Sequence, residues 1–271
     1  MTDEGRWIEV AEGVFARRYE ELDLTVGLVV GAERCLVVDT RGDLVQGEEL
    51  AAAIRGVTPL PWSVAYTHAH FDHSFGTERF LPCEVWATEG CAAELNEFGA
   101  AAQEKWAAYY ESEGKPDIAD AIRRTTVVAP DRTFTGRAEI DLGGRTAVLV
   151  HPGLAHTGHD LVVHVPDARV VFAGDVVEHA EHGFSAFSFS SETDLAAWPD
   201  TLDAILALEP AVVVPGHGDP VDAGFIRYHR DGLHELLGLK EMLTAGQTTV
   251  EEAVAASSYP ADVTRAALTT P

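Results

Sequence analysis

The sequence predicts an α/β (α+β) protein, and three observations carry that reading. Short β-branched runs separated by turn signals fill the first part of the chain; a second series of such runs begins at Arg145; and segments of helical period separate and follow the two series. In order, "WIEV", "GVFARRY", "LTVGLVVG" and "RCLVVDT" read as strands, punctuated by "AEG" and "GAE". The helix-period segment "LVQGEELAAAIRGV" follows, and the strand "WSVAYT" closes a βαβ unit.

From about Thr88 to Arg124 the pattern turns helical, with Leu95, Phe98, Ala102, Trp106 and Tyr109 at spacings of three and four, until Gly114, Lys115 and Pro116 end the helix. The expectation is a surface helix packing this stripe on the core; the alternative is a lid lending Trp106, Tyr109 or Tyr110 to a substrate pocket. "RTAVLVH", "DLVVHVP", "ARVVFAG" and "AVVVPG" then repeat the strand pattern, with the helix "DLAAWPDTLDAILAL" before the last of them. After Val221 the chain reads as helical to the end, with a break at "SYPAD". No linker or low-complexity segment interrupts the chain. Residues 1–271 therefore read as one domain of two similar halves, with a helical insertion at about 90–125 and a helical tail at about 221–271. The tail is expected to cover a sheet face, with a homodimer contact as the alternative.

The totals restrict the function. A chain of 271 residues buries a sizeable core. Its net charge of −25 repels phosphate backbones and anionic membrane surfaces, which counts against nucleic-acid and membrane partners and leaves a small-molecule substrate. The stretch "MTDEGRWIEVAEGVF" lacks a basic region followed by an apolar one, so a cytoplasmic location is expected. Cys35, Cys83 and Cys91 are odd in number and lack CxxC spacing, which fits reduced, packed thiols.

The chemistry concentrates in "AYTHAHFDHSFG", where His68, His70, Asp72 and His73 fall within six positions. Three further strands lead to similar residues: His156 after "TAVLVHPGLA", Asp175 after "VVFAG" and His217 after "AVVVPG". In open α/β sheets ligands bind beyond the strand ends, where four such loops converge. Five imidazoles and two carboxylates make a two-metal inventory. His68 and His70, two apart in extended chain, face one way, and Asp72 and His73 serve a neighbouring position. Such donors suit zinc, and equally admit iron or manganese.

"HAHFDH", with "AHTGHD", "FAGDVV" and "PGHGD" following in that order, resembles the metallo-β-lactamase superfamily over Thr67 to His217. The resemblance implies a four-layer αββα sandwich of two mixed β-sheets flanked by helices. It places His68, His70 and His156 on one divalent ion and Asp72, His73 and His217 on a second, with Asp175 bridging. It also selects His156 over the nearby His151, His159 and His164, the last being structural within a strand. Two cations about 3.5 to 4 Å apart hold a water whose pKa falls towards roughly 7, so that a metal-bound hydroxide attacks a carbonyl and Asp72 orients it and shuttles its proton. Two zinc ions, two aspartates and a hydroxide leave about one positive charge, which suits a developing oxyanion. The implied activity is hydrolysis of an ester, lactone, thioester or amide; an iron-dependent redox enzyme on the same ligands is the alternative. Asp175 stands where one class of secreted β-lactamases has a cysteine, which brings the chain nearer the glyoxalase II and lactonase branches.

Substrate residues are less legible. His179, His182, Phe184 and Phe187 follow Asp175 closely and are candidates for substrate contact, with Phe189 as a further wall residue; the alternative is a loop packing its phenylalanines on the core. Asp39 is expected to support a ligand or form a turn. Arg227, Tyr228 and Arg230 in the tail receive no role.

Overall fold

The meander forms four antiparallel strands, β1 (Arg6–Ala11), β2 (Val14–Arg18), β3 (Thr25–Val30) and β4 (Cys35–Val38). The computed structural model describes residues 4–181 and 183–271; His182, a proposed substrate contact, lies outside the described residues. Helix α1 (Leu44–Val57) crosses over to β5 (Trp62–Ala65), which lies parallel to β4. Asp43 caps α1, its carboxylate accepting from the N–H groups of Val45 at 2.7 Å and Gln46 at 2.9 Å, and Leu50 and Ile54 bury the helix's apolar side. After α2 (Phe71–Ser74), strand β6 (Val85–Thr88) leads to α3 (Glu89–Ser112) and α4 (Pro116–Arg124), and β7 (Arg132–Phe134) completes a seven-stranded sheet in the order β1-β2-β3-β4-β5-β6-β7.

The second sheet has five strands among the described residues: β8 (Arg137–Asp141), β9 (Thr146–Val150), β10 (Val162–Val165), β11 (Val170–His179) and β12 (Val212–Gly218), in the order β12-β11-β10-β9-β8. Only β11 and β12 run parallel in it, because α5 (Trp198–Leu206) connects them as a crossover. The tail forms α6 (Ala223–Thr244), α7 (Val250–Ala256) and α8 (Ala261–Leu268).

Strand alternation divides the core into three slabs. Leu36 and Val38 of β4, with Val29 of β3, face Val163, Val165, Val170 and Phe172 of the other sheet. Their neighbours Cys35, Val37 and Leu28 face outwards onto Leu50, Ile54, Ala107 and Ile122 of α1, α3 and α4. On the other side Val162, Val171 and Val213 meet Trp198, Ile205, Ile226 and Leu233 of α5 and α6. Period two in the strands thus builds a four-layer αββα sandwich, with helices outside both sheets. Gly27 of β3 is required by the central slab, since a Cβ there would lie 2.4 Å from the Phe172 ring. The tail packs on the second sheet through α6 and α8. No helix among the described residues is long and apolar enough to cross a membrane.

Strands β6, β7 and β8 lie outside the runs read from the sequence. β6, "VWAT", is apolar but only four residues long and runs directly into α3, β7 has three residues with none buried, and β8, "RAEID", buries Ile140 alone. The cysteines are free, with Cys35 and Cys91 buried.

Candidate metal centre

The HAHFDH stretch follows β5 and turns into α2. His68 lies in the bend before the helix, His70 is its N-cap residue with φ −59° and ψ 149°, and Asp72 and His73 lie within its single turn. That change of direction separates the donors into two sets, His68, His70, His156 and Asp175 in one and Asp72, His73 and His217 in the other, each with its donor atoms within 4.8 Å of one another. Asp175 reaches both: its Oδ1 is 3.2 Å from His73 Nε2, and its Oδ2 is 3.2 Å from His217 Nε2 and 3.6 Å from His156 Nε2. Asp72 Oδ2 lies 3.5 Å from His217 Nε2.

The sequence places Asp175 and His217 at strand ends, whereas β11 and β12 continue past them. The register of the pair shifts between Phe172 and Gly174 and again before Glu178, and this irregularity turns Asp175 to the site from within the strand. Gly216 makes it possible, because a Cβ there would sit 1.9 Å from Asp175 Oδ1.

Each imidazole is oriented by its other nitrogen. Thr67 Oγ1 donates to Asp39 Oδ2 at 2.8 Å, which leaves it to accept from His68 Nδ1–H at 3.0 Å. His73 Nδ1–H donates to Asp39 Oδ2 at 2.8 Å, His156 Nδ1–H to the Ser188 carbonyl at 2.9 Å and His217 Nδ1–H to the Leu22 carbonyl at 2.8 Å. All four therefore aim Nε2 inwards. His70 is reversed, with Nδ1 3.0 Å from His156 Nε2 and Nε2 4.0 Å from Glu192. Fixing one ring nitrogen to a carboxylate or carbonyl sets the tautomer a metal ligand needs. Asp39 both supports ligands and forms the turn, with φ +65°.

The electrostatics favour cations. Burial opposes charge on His217, yet Asp175 and Asp72 push its pKa up to about 10. Burial is likewise outweighed at His73, where Asp175, Asp72 and Asp39 hold the pKa well above its ordinary value. At His156 burial prevails and the pKa falls to about 4. Asp175, though buried, is held well below the usual carboxylate range by His217, His73 and His68. The buried atoms His68 Nε2, His73 Nε2 and Asp175 Oδ1 have no hydrogen-bond partner among the described residues, an arrangement costing about 1–3 kcal/mol each unless something coordinates them. Nitrogen and carboxylate donors in this number fit divalent ions.

A cavity of about 610 Å³ opens above this centre, with His70, Asp72, Asp175 and His217 in its floor. Leu95, Phe98, Ala102, Trp106 and Tyr109, the α3 stripe, line one wall. Leu95 and Trp106 also pack on the core, but Phe98 is 47% exposed, so the stripe divides between core and cavity rather than packing throughout. Tyr110 is buried and lies outside the lining, its hydroxyl donating to Glu21. In the loop after β11, Phe187 and Phe189 line the cavity. Two candidates do not. Phe184 is buried beneath, packed on His229 and Trp198, because the loop closes its apolar side onto the second sheet's helices. His179 lies at a separate shallow hollow, donating through Nδ1 to the Asp219 carbonyl, with its ring tilted at 59° against Phe225.

The other histidines of the stretch serve locally. His159 Nε2 accepts from Ala69 N–H at 3.3 Å, His151 donates to the Asp160 carbonyl, and His164 stays in β10. The cavity also includes Leu22, Asp23, Glu178 and Glu192, which the sequence did not single out. Their contributions arise from tertiary folding, and no local pattern marks them.

Residues 21–217 match the sequence profile of the metallo-beta-lactamase superfamily. The chain belongs to the metallo-β-lactamase superfamily. It is similar to a type 2 metallo-beta-lactamase of Bacteroides fragilis, 29% identical over 37% of this chain and 40% of that protein. An acyl-coenzyme A thioesterase of Gallus gallus is 30% identical over 56% of this chain and 57% of its own length. The chain thus spans about half the length of the curated relatives it matches. Among solved structures, a sec-alkylsulfatase from Pseudomonas sp. superposes with a TM-score of 0.79 at 17% identity, over 97% of this chain and 49% of that one, a likeness of fold. Superfamily relatives of this kind are metal-dependent hydrolases, and the His/Asp cluster provides the donors.

Proposed function

We propose that this protein is a dinuclear metal hydrolase, with zinc as the expected ion, acting on the carbonyl of a small-molecule ester, lactone, thioester or amide. The observation that carries the reading is Asp175, buried where the two donor sets meet: its Oδ1 lies 3.2 Å from His73 Nε2 of one set, and its Oδ2 lies 3.2 Å from His217 Nε2 of that set and 3.6 Å from His156 Nε2 of the other. His68, His70 and His156 would hold one ion, Asp72, His73 and His217 the other, and Asp175 would contact both. When bound, two such cations supply Lewis acidity towards a carbonyl and lower the pKa of water at the site towards roughly 7.

The chain's own residues do the rest. Asp72 Oδ2, in the cavity floor, is placed to accept the proton that the attacking water loses. Asp39, Ser188 and Leu22 hold His73, His156 and His217 in register without reaching the substrate. The walls of α3 and the loop after β11 flank the position of the reacting carbonyl. Support for acyl chemistry comes from the two curated relatives, one named for a β-lactam amide and one for an acyl thioester.

The test is a hydrolysis panel of esters, lactones, thioesters and β-lactams on the metal-loaded protein, repeated with Asp72→Ala and His73→Ala. Cleavage of one class, lost in both variants, is expected. Folded variants with full activity would refute the mechanism.

A further inference from the structure

The cavity is larger than a carbonyl and its immediate substituents require. Its α3 wall extends from Glu94 to Tyr109, about 22 Å at the helical rise of 1.5 Å per residue. Along it Phe98, Trp106 and Tyr109 present aromatic faces, and Ala102, between them, leaves room. Across from Trp106 and Tyr109 stands Phe187, its ring centroid 6.2 Å and 6.1 Å from theirs. Phe98 is 47% and Phe187 62% exposed, so two large rings on separate elements face the opening with solvent against them. Apolar area arranged this way marks a surface that a ligand covers.

Shape and charge narrow the ligand. A trough this long is filled by an extended chain, whereas a compact polar molecule leaves most of the aromatic wall wet. Apart from the proposed ligands, the lining carries Asp23, Glu94 and Glu192 against the amine of Lys105, which opposes a strongly anionic occupant, while burial and Asp175 raise the Glu178 pKa to about 8.

We propose that this wall binds an unbranched hydrocarbon chain, so that the substrate is a medium- or long-chain acyl or alkyl derivative whose polar end reaches Asp72 and Asp175. The fate of that polar end rests on the hydrolase reading; the chain-binding wall does not.

The test therefore separates binding from turnover. Calorimetric titration of the full chain with hexan-1-ol, octan-1-ol and decan-1-ol is expected to show Kd falling about fourfold per added methylene. Ala102→Trp, which fills the trough, is expected to abolish that dependence. Phe187→Ala, at an exposed position that the fold tolerates, is expected to weaken decanol binding at least threefold. A Kd independent of chain length, or variants that bind decanol as tightly as the wild type, would overturn the proposal. On the metal-loaded protein, kcat/KM for 4-nitrophenyl esters is expected to rise from acetate to decanoate. Length-dependent alcohol binding without cleavage of any ester, lactone, thioester or β-lactam would contradict the hydrolase reading and leave the chain site standing. Ester cleavage with length-independent binding and equal kcat/KM for acetate and decanoate would do the reverse.

Discussion

Asp39 touches no cavity atom, yet its carboxylate accepts from His73 Nδ1–H, Thr67 N–H and the Thr67 hydroxyl, and through Thr67 it fixes His68. Asp39→Asn keeps the shape and removes the charge, and is expected to weaken metal binding about 10–100-fold, measured by competition with a chelator. Unchanged affinity would mean that the ring orientations are set elsewhere. His229 offers a contrasting case. It is fully buried between Phe184 and Phe225, neither ring nitrogen has a hydrogen-bond partner among the described residues, and burial pushes its pKa down to about 3. The unfolded chain binds a proton at this residue below about pH 6.5 while the native state does not, so stability falls as pH falls between about 6.5 and about 3. At pH 5 the loss attributable to His229 is about 2 kcal/mol, and urea denaturation should show a shallower acid dependence in His229→Phe than in the wild type. Of these residues the sequence made the HAHFDH cluster legible, because crowded imidazoles have no packing rationale. It concealed the partners that orient them, since Leu22 and Ser188 act through backbone carbonyls that any residue carries.

The β11/β12 pair shows why element ends were harder to read than element existence. The apolar runs before Asp175 and His217 marked both strands, but their continuation through "DVVEH" and "HG" depends on an irregular register that composition does not encode. Gly216 sits at the tightest point. Gly216→Ala forces a methyl into the space of Asp175 Oδ1, and is expected to abolish tight metal binding and at least 10²-fold of activity while the far-ultraviolet circular dichroism stays native. A variant that retains its metal would show that the carboxylate has another position available. Helix α3 was recognised by period, but period alone does not say what a stripe faces. Leu95 lines the cavity yet is buried in the core, whereas Phe98, also in the lining, stays half exposed.

Across the chain, the repeat of the strand series reads as two similar halves, the family resemblance implies two sheets, and the alternation within β4, β10 and β11 determines how they stack. The strands missed were those with little to bury, at the junction where the chain passes from one sheet to the next. The facing of the sheets depends on Gly27 accommodating the Phe172 ring, so Gly27→Ala is expected to cost about 1–3 kcal/mol of stability by denaturant unfolding, with the metal centre's affinity little changed in the folded fraction. A neutral effect would show that the slab has slack. Both sheets contribute to the centre, His68 to His73 following β5 of one and Asp175 and His217 belonging to β11 and β12 of the other. Equilibrium dialysis against zinc, with metal content measured for the wild type and for Asp175→Ala, tests the account most directly. Two ions per chain are expected in the wild type, with hydrolysis appearing as they bind, and loss of both in Asp175→Ala. A wild-type chain that binds no divalent ion, or an Asp175→Ala chain that retains two and full activity, would contradict it.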